Sequence, residues 1–142
     1  MAERDYAKIF PRVKETSPFY QLLGIEEVEV REGYASLRME FRPQLTHSYG
    51  IVHGGAMTAL IDSTGAVALL TRVRRGETVT TIELKVNFLA SVAAGRMTAE
   101  AVIVHHGRRT AVIDCTVTRG DGKKVAKALL TYMILQPEAA AG

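Results

Sequence analysis

The pattern of hydrophobic and polar residues changes character in the middle of this chain. Residues 54–71 are small or aliphatic on every side of a helical turn and include no Lys, Arg or Glu. A helix with this composition has no solvated face and is stable only when other elements surround it. We therefore predict a buried central helix at about residues 54–71.

Alternating hydrophobic and polar residues predict strands on both sides of this helix. Before it, two segments joined across Glu32-Gly33 predict a hairpin with one polar face. After it, the most regular alternation places Ile82, Leu84, Val86 and Phe88 on one face and Thr81, Glu83, Lys85 and Asn87 on the other. The predicted strands are 25–31, 34–41, 79–89, 97–105, 110–119 and 123–135, the last four forming a meander.

The N-terminal part predicts two short helices. Residues 5–15 have hydrophobic side chains at helical spacing, and Ser17-Pro18 followed by Gly24 provides a cap, a first helical residue and a stop signal. We expect a helical segment within residues 1–22 and a frayed tail at 137–142. Because a single six-stranded sheet leaves one side of the central helix uncovered, we also expect a partner subunit.

Composition limits the possible classes of protein. A chain of 142 residues with 47% hydrophobic residues suits one globular domain, predicted to span 1–142. Cys115 is the single cysteine, which excludes an internal disulfide. The charged N-terminus lacks a signal core, and Asp62 interrupts the longest apolar run. We expect a cytoplasmic protein without a membrane segment.

Charge and motifs give little support for nucleic acid, a metal or a cofactor. The net charge is only +3, and the clusters Arg72–Arg75 and Arg108-Arg109 occur without interleaved aromatic residues or a known DNA-binding motif. A phosphorylated small molecule suits these arginines better. We predict no metal site, no cofactor and no nucleic-acid partner.

Two features of the central segment suggest chemistry. Gly54 and Gly55 leave the first N–H groups of the helix uncovered, an arrangement that allows a ligand oxygen to approach. Asp62 is a carboxylate in an apolar helix, where burial is costly without a purpose. The alternative interpretation is that Asp62-Ser63-Thr64-Gly65 forms a turn and exposes the acid harmlessly.

The whole pattern resembles the hotdog fold, an α+β fold in which an antiparallel sheet wraps a central helix. More specifically, it resembles the acyl-CoA thioesterases of the phenylacetate-pathway and 4-hydroxybenzoyl-CoA thioesterase superfamily. The residues that carry the resemblance are Gly50, His53-Gly54-Gly55, Asp62, the strand Thr81–Leu89 and Gly95.

This resemblance implies an active site. The Gly54 N–H would bond the thioester carbonyl, and Asp62 of the other subunit would act as general base or nucleophile. Eight residues of helix separate Gly54 from Asp62, a rise of about 12 Å, so one chain cannot bring both to one carbon. We expect a homodimer, and the sequence leaves open whether two dimers assemble further into a tetramer, as a dimer of dimers. The resemblance further implies that Thr81 positions the attacking water, and we expect His53 to orient the helix start.

One position departs from the family pattern. Six residues before the His-Gly-Gly motif, many relatives have Asn, whereas this chain has His47 beside Ser48. Together with Gly55 and Phe88, these two residues are our candidates for substrate binding. The sequence leaves both aromatic and medium-chain acyl-CoAs open as substrates.

Other functions share some of these features. A non-catalytic acyl-CoA-binding module and a hotdog enoyl-CoA hydratase or dehydratase both fit the fold. A dimeric aspartic protease is disfavoured because its Asp-Thr-Gly motif has Gly two residues after Asp, whereas Gly65 follows Asp62 by three.

Overall fold

The computed structural model describes residues 4–138. Its central helix, α3, runs without a break from Gly54 to Leu70. Its threonine hydroxyls bond back along the helix: Thr58 Oγ1 donates to the Gly54 carbonyl at 2.8 Å and Thr64 Oγ1 to the Leu60 carbonyl at 2.6 Å. The predicted central helix is confirmed, and the alternative turn at 62–65 is wrong because its buried residues continue the helix.

Six strands form one antiparallel sheet. The strands are β1 (Glu26–Arg31), β2 (Tyr34–Glu40), β3 (Thr78–Phe88), β4 (Arg96–His106), β5 (Thr110–Arg119) and β6 (Lys124–Leu135). Their order in the sheet is β1-β2-β4-β5-β6-β3. The helix packs across the sheet, mainly against β4, β2 and β3, and the predicted hotdog architecture is confirmed.

The predicted four-strand meander is wrong in one respect. Only β4, β5 and β6 follow each other in space, while β3 pairs with β6 at the far edge of the sheet. Residues 89–95 return the chain from that edge to the middle. The chain thus crosses the sheet twice, first through α3 between β2 and β3 and then through residues 89–95 between β3 and β4.

Two short helices precede the sheet, as predicted. A 3-10 turn at Tyr6–Lys8 leads into α1 (Ile9–Thr16), and α2 spans Pro18–Leu23. The α2 helix begins at the Ser17 cap and ends at Gly24, whose φ of 67° is accessible to glycine at no steric cost. Part of the predicted tail, residues 139–142, lies outside the described residues.

The core lies between the sheet and α3. The inward residues of β2, β4, β5 and β6 are almost all apolar and fully buried, and they contact the buried side of the helix. None of the helices in the described part of the chain combines the length and hydropathy needed to cross a bilayer.

The alternation predicted for β3 is wrong at its centre. A β-bulge shifts the register against β6 between Thr81 and Glu83. The extra residue, Ile82, is 52% exposed, whereas Thr81 turns toward α3 and reaches Asp62. A bulge moves side chains from one face to the other, so Thr81 shares the inner face with Leu84.

Candidate active site

The start of α3 is capped from within. The His53 backbone is extended, and its imidazole Nδ1 accepts the Gly55 N–H at 2.7 Å. A Cβ at Gly55 would lie only 2.9 Å from this nitrogen, so the cap requires glycine. The Gly54 N–H has no acceptor within residues 4–138. Of the paired glycines, Gly54 is therefore the one with a donor to offer a ligand.

The loop before α3 holds this helix start in place. The His53 N–H donates to the Leu45 carbonyl at 2.7 Å, and the Val52 N–H donates to the Val92 carbonyl at 2.9 Å. Gly50, at φ 76°, closes a tight turn that only glycine adopts readily. These contacts fix the direction in which the Gly54 N–H points.

A largely apolar cleft of about 340 Å³ opens beside Gly54. The Phe88 ring forms one wall and packs so closely that a Cβ at Gly54 would lie 3.0 Å from its Cζ. Such a surface suits an acyl chain or an aromatic acyl group. The lining residues are His47, Ile51, Val52, Gly54, Met57, Phe88, Leu89, Ala90, Ser91 and Val92.

A second recess lies on the other side of the helix start. It has a volume of about 290 Å³ and is lined by Phe19 and Leu23 from α2, together with His53, Gly55 and Ala56. The helix start therefore separates two shallow apolar surfaces. A substrate carbonyl bound at Gly54 would have room for a group on each side.

Asp62 lies two turns further along α3, with one carboxylate oxygen held firmly. Its Oδ1 accepts Thr81 Oγ1 at 2.7 Å and lies 3.0 Å from the Tyr132 hydroxyl. The same hydroxyl lies 2.6 Å from the Asp62 backbone carbonyl, so its single proton is shared between the two acceptors. In the described structure Oδ2 receives no donor, so the carboxylate is fixed through one oxygen and free at the other.

The phenols of Tyr20 and Tyr132 lie near the Asp62 carboxylate. Burial is the main cause that raises the pKa of both Tyr20 and Tyr132, and the negative charge of Asp62 raises them further. Both phenols therefore remain protonated donors. Tyr20 donates to the Ser63 carbonyl at 3.3 Å, beside the acid.

Sequence reasoning missed Tyr132. It lies on the inner face of β6 and is 1% exposed, in a segment that otherwise appears as an ordinary alternating strand. A signal was present at Gly65, a glycine in the middle of a helix, which usually costs about 1 kcal/mol relative to alanine. Such a glycine suggests that another group approaches closely.

Not all of the predicted substrate-binding residues line the cleft beside Gly54. His47 lines the cleft beside Gly54, but its Nδ1 accepts the Tyr49 N–H at 3.0 Å. Ser48 is exposed and does not line the cleft. Thr81 bonds the acid itself, while its role in positioning water stays a prediction.

The arginine clusters meet far from Gly54. Arg72 and Arg74, after the C-terminal end of α3, line a depression together with Arg108 and His106. This concave surface carries positive charge, and its use for CoA phosphates stays a prediction. Within the described residues, no group of three or more His, Cys, Asp and Glu side chains is placed to hold a metal ion.

Comparison with known proteins identifies the family. A model of the thioesterase superfamily matches residues 49–126, which include the helix start, Asp62 and Thr81. The chain is 31% identical over 98 residues to the 1,4-dihydroxy-2-naphthoyl-CoA hydrolase of Listeria monocytogenes, covering 69% of this chain and 80% of that protein.

Two further relatives agree. A medium/long-chain acyl-CoA thioesterase of Salmonella typhimurium is 26% identical over 132 residues, with 82% of this chain and 85% of the relative covered. The solved structure of a mutant thioesterase from Pseudomonas aeruginosa superposes with a TM-score of 0.85 at 27% identity, over 94% of this chain and 96% of that one. The chain therefore belongs to the thioesterase superfamily and is a thioester hydrolase with a hotdog fold.

Proposed function

We propose that this protein hydrolyses an aromatic or medium-chain acyl-CoA to the free acid and CoA. The observation that carries the proposal is the Gly54 N–H, which lacks an acceptor within residues 4–138 and lies beside an apolar cleft. The relatives support the substrate class, since one is named for an aromatic acyl-CoA and another for medium- and long-chain acyl-CoAs.

Gly54 polarises the thioester carbonyl in this proposal. A helix N-terminus carries about half a unit of positive charge, and its N–H favours the negative charge that develops on the carbonyl oxygen. One such pre-aligned donor contributes about 3 to 4 kcal/mol to the transition state. His53 supports this role indirectly, because its cap on Gly55 keeps the first turn in place.

In this proposal Asp62 either activates the attacking water or is itself the nucleophile. Its free Oδ2 removes a proton from water that attacks the carbonyl carbon, and the thiolate of CoA leaves. Alternatively, Oδ2 attacks the carbonyl carbon itself, CoA leaves as thiolate, and water then hydrolyses the mixed anhydride. In a single turnover in ¹⁸O-labelled water, an unlabelled first product shows direct attack followed by water opening the anhydride at the Asp62 carbon, since only then does an oxygen of Asp62 enter the product.

Two copies of the chain complete the site. Gly54 and Asp62 are about 12 Å apart along α3, so the acid that serves Gly54 comes from a second copy. The half-buried residues Ala59, Asp62 and Ala66 follow Gly55 at helical spacing on the uncovered side of α3. The neighbouring strand β3 pairs with β6 along one edge only. In a dimer, the two α3 helices would lie antiparallel and cover each other's uncovered side, and the two free β3 edges would pair.

Mixing two inactive variants tests this arrangement. Asp62→Asn removes the acid, and Gly54→Pro removes the N–H donor. If one site uses Gly54 of one copy and Asp62 of the other, mixed dimers contain one intact site. After unfolding and refolding together, the mixture should recover about a quarter of the wild-type activity. Each variant refolded alone is the control, and no recovery would contradict the shared site.

A substrate panel tests the reaction itself. Release of CoA thiol is measured for benzoyl-type, hydroxyaryl and C4 to C16 acyl-CoAs, together with a crotonyl-type enoyl-CoA. Thiol release from an aromatic or medium-chain substrate, lost in Asp62→Asn, supports the proposal. Tight binding without turnover would instead indicate a binding module, and loss of the enoyl absorbance without thiol release would indicate a hydratase.

A further inference from the structure

Tyr132 joins strand β6, which lies between β5 and the edge strand β3, to the acid on α3. Its hydroxyl lies 2.6 Å from the Asp62 backbone carbonyl and 3.0 Å from Asp62 Oδ1. It thus touches both the main chain and the side chain of one residue. Thr81, the partner of Tyr132 in the β3–β6 register, donates to the same Oδ1. The two donors approach from adjacent strands.

Gly65 makes this contact possible. A Cβ at this position would lie 2.5 Å from the Tyr132 hydroxyl oxygen and 3.2 Å from two ring carbons. Because Tyr132 is 1% exposed, its ring is enclosed by the protein, and a methyl group at Gly65 would push the phenol away from Asp62. The glycine, about one helical turn after Asp62, provides the notch through which the phenol reaches the carboxylate.

The titratable groups near Asp62 on the elements packed against it are two phenols and a thiol. Tyr20 on α2, Tyr132 on β6 and Cys115 on β5 are the titratable groups that face it or lie behind Tyr132. Burial raises the pKa of the Cys115 thiol to about 12. Strands β2 and β4 present apolar side chains to α3, and Glu83 and Lys85 of β3 are exposed.

We propose that Tyr132, admitted by Gly65, is a positioning residue that holds Asp62 Oδ1 and so directs the free Oδ2 toward the substrate. This rests on the proposed role of Asp62. Tyr132 reaches the reaction through Asp62 and does not line either apolar recess beside the helix start. The hydroxyl proton is shared between the Asp62 backbone carbonyl and Oδ1, and its interaction with Oδ1 stabilises the carboxylate needed for attack.

The Tyr132→Phe variant tests the inference. Phenylalanine keeps the buried ring, and each acceptor of the lost hydroxyl keeps another donor, the helix for the carbonyl and Thr81 for Oδ1. We expect kcat to fall roughly 10-fold with KM within about twofold, because a hydrogen bond to the reacting group is lost and none to substrate. The acid limb of the kcat profile should move up by about one pH unit.

Gly65→Ala provides a second, independent variant. The added methyl group displaces the phenol while leaving the tyrosine present, so it should move kcat and the acid limb in the same direction. The double variant Gly65→Ala/Tyr132→Phe should be no worse than the more severe single variant, since both act through one contact. Tyr34→Phe, which removes a phenol at the far end of β2, is the matched control and should behave as wild type.

The outcomes separate this inference from the proposed function. An unchanged kcat and acid limb in Tyr132→Phe, or a lower melting temperature alone, would overturn the positioning role while Asp62→Asn remained inactive. Full activity in Asp62→Asn would overturn both, since the acid itself would then be dispensable. A shifted limb and lower kcat with unchanged KM, together with an inactive Asp62→Asn, would support both.

Discussion

The start and the middle of α3 use glycine for opposite purposes. At the start, Gly54 and Gly55 leave space on the outside of the helix, for a substrate oxygen and for the His53 cap. In the middle, Gly65 leaves space on the inside, for the Tyr132 hydroxyl from the core. The start therefore offers an unoccupied donor, while the middle holds an acid between donors. One helix thus carries both halves of a site but cannot bring them together by itself.

The largest effect is expected at the middle of the helix, from Asp62→Asn. Losing the base or nucleophile should lower kcat about 10²- to 10⁴-fold, with little effect on folding because asparagine keeps the acceptor for Thr81 and Tyr132. Steady-state thiol release measures this. Asp121→Asn, in an exposed turn, is the control, and a loss of less than twofold in Asp62→Asn would refute the role of the acid.

At the helix start, comparison of Gly54→Pro with Gly54→Ala isolates the N–H donor. Gly54 is the first helical residue, where proline is tolerated, and His53 already has the extended backbone (ψ 136°) that precedes proline. Both variants add a Cβ against Phe88, but only proline lacks the N–H. We expect kcat to be about 10²- to 10³-fold lower in the proline variant than in the alanine variant. Equal rates would show that Gly54 does not stabilise the oxyanion.

The buried thiol of Cys115 should make the free energy of unfolding fall at alkaline pH. Burial raises the Cys115 pKa from 9.0 to about 12, so the unfolded chain loses this proton first. The contribution of the protonated Cys115 thiol to the free energy of unfolding is complete below pH 9 and is lost as the pH rises from 9 to about 12. The free energy of unfolding should fall by about 1 kcal/mol from pH 9 to 10 through this thiol.

Urea unfolding at several pH values measures the loss. Cys115→Ala should reduce the slope without abolishing it, because burial also raises the pKa of Tyr132. A slope identical to wild type would contradict the assignment to Cys115. The stability of the variant at pH 7 is compared separately, since alanine also removes packing.

The smallest effect concerns the cap. His53→Ala leaves the Gly55 N–H without its side-chain acceptor and should lower the free energy of unfolding by about 1 kcal/mol. His53→Asn restores an acceptor at the cap and is the matched control. If His53 only orients the helix start, His53→Asn should retain most of the activity. A large loss of kcat in His53→Asn with intact stability would instead indicate direct proton transfer by His53.

Much of the fold was accessible from the sequence because its local signals agree. The Ser17-Pro18 start and Gly24 stop of α2, the Glu32-Gly33 hairpin and the apolar run of α3 were predicted within a few residues. The helix start and Asp62 were recognised for a related reason. Bare glycines and a charge in an apolar helix are conspicuous against their neighbours.

Other features depend on contacts between distant segments. Nothing in the alternation of residues 79–89 reveals the bulge at Thr81, since a bulge is a mismatch with the partner strand β6. The position of β3 at the far edge likewise depends on how the chain crosses the helix. For the same reason Tyr132 appeared as one inward residue of a strand until the register placed it beside Asp62.

The sequence by itself determined the buried helix, its glycine start and an acid two turns later, because these follow from hydrophobicity, backbone freedom and the rise per residue of a helix. The tertiary structure decided which atoms around that acid are engaged. Hydrogen bonds from Thr81 and Tyr132 need strands far apart in sequence to meet over Gly65. That meeting is fixed by sheet register and packing, which no local pattern encodes.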